Sequence, residues 1–357
     1  MESHDDSIHG RLLLATAERR RSGPRPALAA DASIQLEFPT MKLSLLVVPV
    51  LSAALAFAAP PQPAIPVIFD TDIGNDVDDC LALAILHSFA SRGEIRLAAV
   101  TITKDNPWAA RLASAIDTFY GRPNVPIGVV HDGQTKDDGY LKKALDAGHY
   151  PYRDHPEDAV TVLRRVLESE LDSSVVIVQV GFSTNLARLL DSPGGRALAA
   201  RKVNRLVMMA GDFAGNGPEY NVKTDIPSAR KLVAEWPGPV YWSGYEVGST
   251  IKYPARSIER DFGPPGANPV ADAYRNYLAM PYDRETWDLT AALFAVRPAD
   301  GYFTVSAPGR VTVDAQGKTF FTPEDAGRDR VLSVNDAQRA RILEAFLWLC
   351  TQPARAH

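Results

Sequence analysis

With 357 residues and a formal net charge of −5, the chain has room for one large domain or two small ones. Its mild acidity excludes a nucleic-acid backbone as the main partner, which would need a concentrated basic face. A content of 46% hydrophobic and 23% charged residues is that of an ordinary globular protein rather than a membrane or disordered one.

The first sixty residues do not read as fold. Residues 1–40 hold the basic run Arg19-Arg20-Arg21 and are taken as an upstream or disordered segment. Residues 41–58 have the layout of a secretory signal peptide: Met41-Lys42, an apolar run from Leu43 to Phe57, and the small-x-small pattern Ala56-Phe57-Ala58. The run is too short and wrongly flanked for a membrane span. The sequence therefore predicts initiation at Met41, a secreted or periplasmic protein, and no membrane attachment after cleavage.

From Pro60 onward, apolar strands alternate with helices. Strands are predicted at 65–70, 95–103, 126–130, 175–181, 205–210 and 240–243. Helices are predicted at 81–89, 108–120, 157–171, from Thr184 to Leu190, and at 226–235. Strands that are apolar without alternation are covered on both faces. The prediction is a doubly wound α/β fold: a mostly parallel sheet with helices on both faces, and ligands at the carboxyl ends of the strands. The last third departs from this rhythm. It has helices at 270–280 and 289–296, a hairpin turning at Asp314-Ala315-Gln316-Gly317, and a closing helix over 335–350. No linker divides residues 64–352, which read as a single catalytic domain. Residues 132–155 show little periodicity and are taken as a long loop. Cys80 and Cys350 read as packed, unbridged thiols.

One cluster carries chemistry. Asp70, Asp72, Asp76, Asp78 and Asp79 stand within ten residues, after a buried strand and before a helix. An acidic turn with helix caps explains one or two of them. Five carboxylates at a buried strand end need a counter-charge, and a hard divalent cation, calcium or magnesium, supplies it through oxygen ligands. Two enzyme classes place Asp-x-Asp here. In a phosphatase of the haloacid dehalogenase type, Asp70 would be the nucleophile and Asp72 the acid/base. The adjacent pair Asp78-Asp79 instead resembles the calcium-binding run of the nucleoside hydrolases.

Further motifs, in order along the chain, carry that resemblance. Val100-Thr101-Ile102-Thr103-Lys104-Asp105-Asn106 is similar to the family's second-strand motif. Gly181-Phe182-Ser183-Thr184-Asn185-Leu186-Ala187 looks like its G-P-L-T-N-L-A run, and Met209-Ala210-Gly211 like its M-G-G strand end. Glu219-Tyr220-Asn221 with Asp225 resembles its E-F-N…D run, and Trp287-Asp288-Leu289-Thr290-Ala291 its His-Asp-Pro-Leu-Ala. The resemblance is to the inosine-uridine preferring nucleoside hydrolases, calcium-dependent N-ribohydrolases, over most of residues 64–350.

It implies Ca2+ held by Asp72, Asp79, Asp288 and the Thr184 carbonyl, with Asp72 as the catalytic base. It implies that Asp78, Asn106, Met209, Asn216, Glu219 and Asn221 bind the substrate, with Trp287 beside the leaving base. The partner would be a small-molecule nucleoside or related N-riboside, and a homo-oligomer would be in keeping with the family. The Asp cluster is two residues longer than the family's and leaves Asp76 without a role. Trp287 replaces the His that protonates the leaving base. That replacement keeps open a second reading, a calcium-dependent sugar- or nucleoside-binding protein without catalysis.

Overall fold

The computed structural model describes residues 64–353 apart from His155. The upstream segment, signal peptide and cleavage site near Ala59 expected from the sequence all fall outside the described residues.

The strands, in chain order, are β1 Ile65–Thr71, β2 Ile95–Lys104, β3 Ile127–Gln134, β4 Glu157–Asp158, β5 Val175–Gln179, β6 Val203–Met209 and β7 Val240–Ser243. They continue with β8 Lys252–Tyr253, β9 Arg284–Glu285, β10 Thr304–Val305, β11 Gly309–Val313, β12 Thr319–Pro323 and β13 Asp329–Ser333. In the main sheet the order is β12-β11-β13-β7-β6-β5-β1-β2-β3-β4, with β10 paired to β13. Strands β1 to β7 all run parallel, and β13 joins them parallel to β7. This is the expected doubly wound fold. The antiparallel pair β11–β12 is the expected hairpin, and its attachment through β13 extends the sheet.

Successive side chains of β1 divide between two cores. Val67 and Phe69 pack on one face with the helices Asp78–Ser91 and Trp287–Val296, while Ile68 packs on the other with the helices Ala159–Ser169 and Thr184–Asp191. Cys80 and Cys350 are buried and free. Among the described residues, no helix is long and apolar enough to cross a membrane.

Two expectations need correction. The stretch 132–155 is not all loop: β3 runs on to Gln134, and a helix covers Leu141–Gly148. Its buried face is only Leu141, Ala144 and Leu145, too few apolar positions to stand out as a period. The helix predicted from Glu157 begins at Ala159, because Asp158 takes extended backbone as the N-cap and accepts the amide of Thr161.

The chain winds away from β1 in both directions, through β2, β3 and β4 on one side and β5, β6 and β7 on the other. The β1/β5 boundary is therefore the topological switch point, where loops diverge and leave a crevice. Gly181 makes this junction possible. A Cβ there would meet the Thr103 hydroxyl and stand 2.6 Å from the backbone nitrogen of Asp72.

Candidate active site

At the switch point, β1 runs out into Asp72-Ile73-Gly74-Asn75-Asp76-Val77 before the helix Asp78–Ser91 begins. Gly74 turns the chain with φ of 111°, a left-handed value that disfavours side chains. The loop puts successive acids around a cavity of about 360 Å³, whose walls include Asp72, Asp78, Asp79, Met209, Glu219, Asn221, Trp287 and Asp288. Eight of the residues expected at the site thus come together from four separate parts of the chain.

The carboxylates of Asp78, Asp79 and Asp288 are buried and bring one oxygen each within 4.8 Å of one another. Each end of the group is tied down. The amide of Asp288, in the first turn of its helix, donates to Asp78 Oδ2 at 3.0 Å, and the Thr71 hydroxyl donates to Asp79 Oδ1. Burial first, and the neighbouring negative charges second, hold Asp79 and Asp288 well above the usual carboxylate range, and Asp78 is raised by burial and by Asp76. Three carboxylates packed this way repel unless they are protonated or share a cation. Their all-oxygen donor set fits a hard divalent ion.

Asp72 faces the same cavity outside that group. Its Oδ2 accepts from Asn75 Nδ2 at 2.7 Å, and Asn75 Oδ1 in turn accepts from Lys104 Nζ at 2.8 Å. Burial, partly offset by the Asn75 hydrogen bond, pushes the Asp72 carboxyl up to about 6.

On the far wall, Glu219 caps the short helix Tyr220–Thr224. Its oxygens accept the amides of Asn221 at 2.8 Å and of Val222 and Gly211 at 3.1 Å. Burial outweighs those amides and raises it to about 7. Asn221 Nδ2 donates to the carbonyls of Val180 at 2.6 Å and Met209 at 3.1 Å, which joins the ends of β5 and β6. At the mouth, the Trp287 ring lines the cavity. It stacks on Tyr245 with centroids 5.5 Å apart, and its Nε1 donates to the Tyr245 carbonyl at 3.0 Å.

Two expected residues, Asn106 and Asn216, are placed elsewhere, and the side chain of Thr184, expected to serve through its backbone carbonyl, is engaged away from the cavity. Asn106 is the N-cap of the helix Pro107–Phe119, and its Nδ2 holds the chain at Lys136 and Asp137. Thr184 opens the helix Thr184–Asp191 with its hydroxyl on Asp225 Oδ2 at 2.5 Å; from this part of the chain it is Val180 that lines the cavity. Asn216 lies exposed on the loop after β6, bonded to Asp212. Asp70, the nucleophile of the phosphatase reading, is fully buried beneath the site with its Oδ1 held by Thr101 and Asn185.

The cavity also gathers residues that the motifs did not single out: Asn75, Tyr220, Tyr245, Tyr277 and Arg284. Asp76 gains a partner among them. Arg284, on β9, donates from Nε to Asp76 Oδ1 at 2.9 Å and from Nη2 to Asp76 Oδ2. The sequence offered only faint signals for these. Asn75 and Asp76 lie within the run that is two residues longer than the family's, and Arg284 stands shortly before Trp287-Asp288.

The sequence matches the inosine-uridine preferring nucleoside hydrolase family over residues 67–345. The fold aligns with a plant nucleoside hydrolase, PpNRh1, at 21% identity and a TM-score of 0.66, over 82% of this chain and 100% of that one. It aligns with the inosine-uridine preferring nucleoside hydrolase of Bacillus anthracis at 18% identity and a TM-score of 0.63, over 80% of this chain and 99% of that one. An inosine-guanosine nucleoside hydrolase aligns at 18% identity and a TM-score of 0.65, over 80% and 97%. At such identities these likenesses speak for the fold alone, and no curated protein matches the sequence. The family match covers well over half of the chain, and on it the chain belongs to the inosine-uridine preferring nucleoside hydrolases, a family of nucleoside N-ribohydrolases.

Proposed function

We propose that the chain hydrolyses the N-glycosidic bond of purine nucleosides with the help of a calcium ion. The observation that carries this reading is the meeting, in one cavity, of Asp72, Asp78, Asp79 and Asp288 with Glu219 and Asn221 opposite and the Trp287–Tyr245 stack at the mouth.

Asp79 and Asp288 would hold the cation, with Asp78 and Asp72 beside them. When bound, calcium supplies Lewis-acid polarisation of water and offsets the carboxylate charge. The remaining work falls to the protein's own groups. Asp72 takes the proton of the attacking water, oriented for that task by Asn75 and Lys104. Asp78 and Asn221 hold the ribose hydroxyls, and Glu219 lies toward the 5′ end. The buried carboxylates favour the positive charge that develops on the sugar in an oxocarbenium-like transition state.

The Trp287–Tyr245 stack offers an aromatic wall to a two-ring base. A purine nucleoside is therefore expected to be cleaved much faster than uridine, as measured by ribose release. Trp287→Ala should lower kcat/KM on inosine by about 30-fold while costing an activated ribose glycoside several-fold less. Equal losses on the two substrates would mean that Trp287 serves packing alone.

The same reading takes the protein as exported, secreted or periplasmic, with the mature chain starting near Ala59. Intact-mass measurement of exported protein is the check, and a species that retains residues before Met41 would sink it.

A further inference from the structure

The cavity's walls contain no histidine among the described residues, and Arg284 is their one basic side chain. His87, on the first helix, lies away from the cavity, fully buried with its Nε2 2.8 Å from Asp117 Oδ1. Yet a purine leaves with the electron pair of the broken bond and needs a partner for that charge.

Arg284 is held in place at the cavity wall. Its backbone is paired through β9 to Tyr253, which is fully buried. Asp76 grips its guanidinium through Nε and Nη2, and Nη1 makes a longer 3.3 Å contact with Glu285 Oε2. The guanidinium carbon lies 5.2 Å from the centre of the Trp287 ring and 5.3 Å from that of Tyr277. It therefore sits at the aromatic end of the cavity. A guanidinium has five N–H donors, so donors remain after these contacts.

We infer that Arg284, clamped by Asp76, is the catalytic residue that stabilises the departing base, and that it selects 6-oxopurines. This rests on the hydrolase reading given above. The base's C1′–N9 bond breaks with its electron pair going to the base. The water oxygen bonds to C1′, and one water proton goes to Asp72. Arg284 keeps all its protons and donates hydrogen bonds to the purine anion, which takes a proton from solvent on release. The proton held by Asp72 returns to solvent, so the net change is nucleoside plus water to base plus ribose.

Arginine pairs well with the O6 and N7 acceptors of a 6-oxopurine, as it does with guanine in DNA. Adenine presents an amino donor at the same edge and is disfavoured. The two residues by which the aspartate run exceeds the family pattern then have a purpose: the longer loop carries Asp76 to Arg284, and Asp76 is a positioning residue.

The test compares kcat/KM on inosine, adenosine and p-nitrophenyl ribofuranoside, whose leaving group needs no support. Wild-type enzyme should prefer inosine to adenosine. In Arg284→Met the ratio of inosine to p-nitrophenyl riboside activity should drop about 10²-fold, and the preference over adenosine should vanish. Arg284→Lys, which keeps the charge without the fork, should fall between, and Asp76→Asn should lower the same ratio less. These two variants carry the test if Arg284→Met does not fold. An unchanged ratio in the Arg284 variants, or a selective loss in Tyr277→Phe instead, overturns the inference while leaving the hydrolase reading standing. Wild-type protein inactive on all three substrates overturns both.

Discussion

Asp72→Asn is expected to lower kcat on inosine about 10³-fold, the range for removal of a general base. The substitution keeps the shape and the hydrogen-bond partner on Asn75 but cannot take a proton from water. Asp72 lies outside the tight group of Asp78, Asp79 and Asp288. The variant should therefore still show a calcium-dependent rise in Tm, which separates loss of the base from loss of the metal. Activity within about tenfold of wild type would assign the base to another group. The burial-raised carboxyl, at about 6, also sets a direction with pH. That value belongs to the metal-free site, and calcium beside the carboxyl favours its charged form. With calcium bound, wild-type kcat should therefore fall toward acid pH only below that value, and this limb should be absent from the residual activity of Asp72→Asn.

Removal of the metal should have an effect as large. Exhaustive chelation is expected to abolish nucleoside hydrolysis, and calcium added back should restore it. Full activity in the chelated protein would sink the metal requirement, while recovery with magnesium alone would replace calcium by the smaller ion.

The stability effect has a sign that depends on pH. Asp72, Asp78, Asp79 and Asp288 are all raised above the ordinary aspartate value by burial. The metal-free native state therefore holds more protons than the unfolded chain, from about pH 4 upward. Its stability falls as the pH rises through the folded values. Calcium displaces those protons, so its stabilisation grows over the same interval. At a concentration of about a hundred times Kd, calcium should raise Tm by roughly 5–10 °C near pH 8. The rise should be clearly smaller near pH 5. Thermal melts with and without chelator at the two pH values measure this, and an equal or larger shift at the lower pH would show that the cation does not bind among these carboxylates.

How much of this was legible beforehand follows from which forces are local. Continuous apolar strands between helices can only be buried on both faces, so the parallel sheet could be read from β1, β2 and β5 one at a time. The acid run after β1 marked the site, because repelling carboxylates at a strand end need a counter-charge wherever the rest of the chain goes. The motifs that hold Met209, Glu219 and Asn221 named most of the opposite wall, and the one that holds Asp288 named the partner of Asp78 and Asp79, since each lies next to a strand end or a helix start that has its own sequence signature.

Side-chain direction was another matter. Asn106 and Asn216 belong to the right segments, but each has a nearby partner. Asn106 caps its own helix, and Asn216 folds onto Asp212. A short polar side chain takes the closest donor or acceptor offered, and spacing along a chain does not say which that is. The pairings that shape the cavity's rim and support its base, Arg284 with Asp76 and Lys104 with Asn75, join residues far apart in sequence. Only the winding of strands to either side of β1, and the return of the chain through β9, brings these groups within reach of one another.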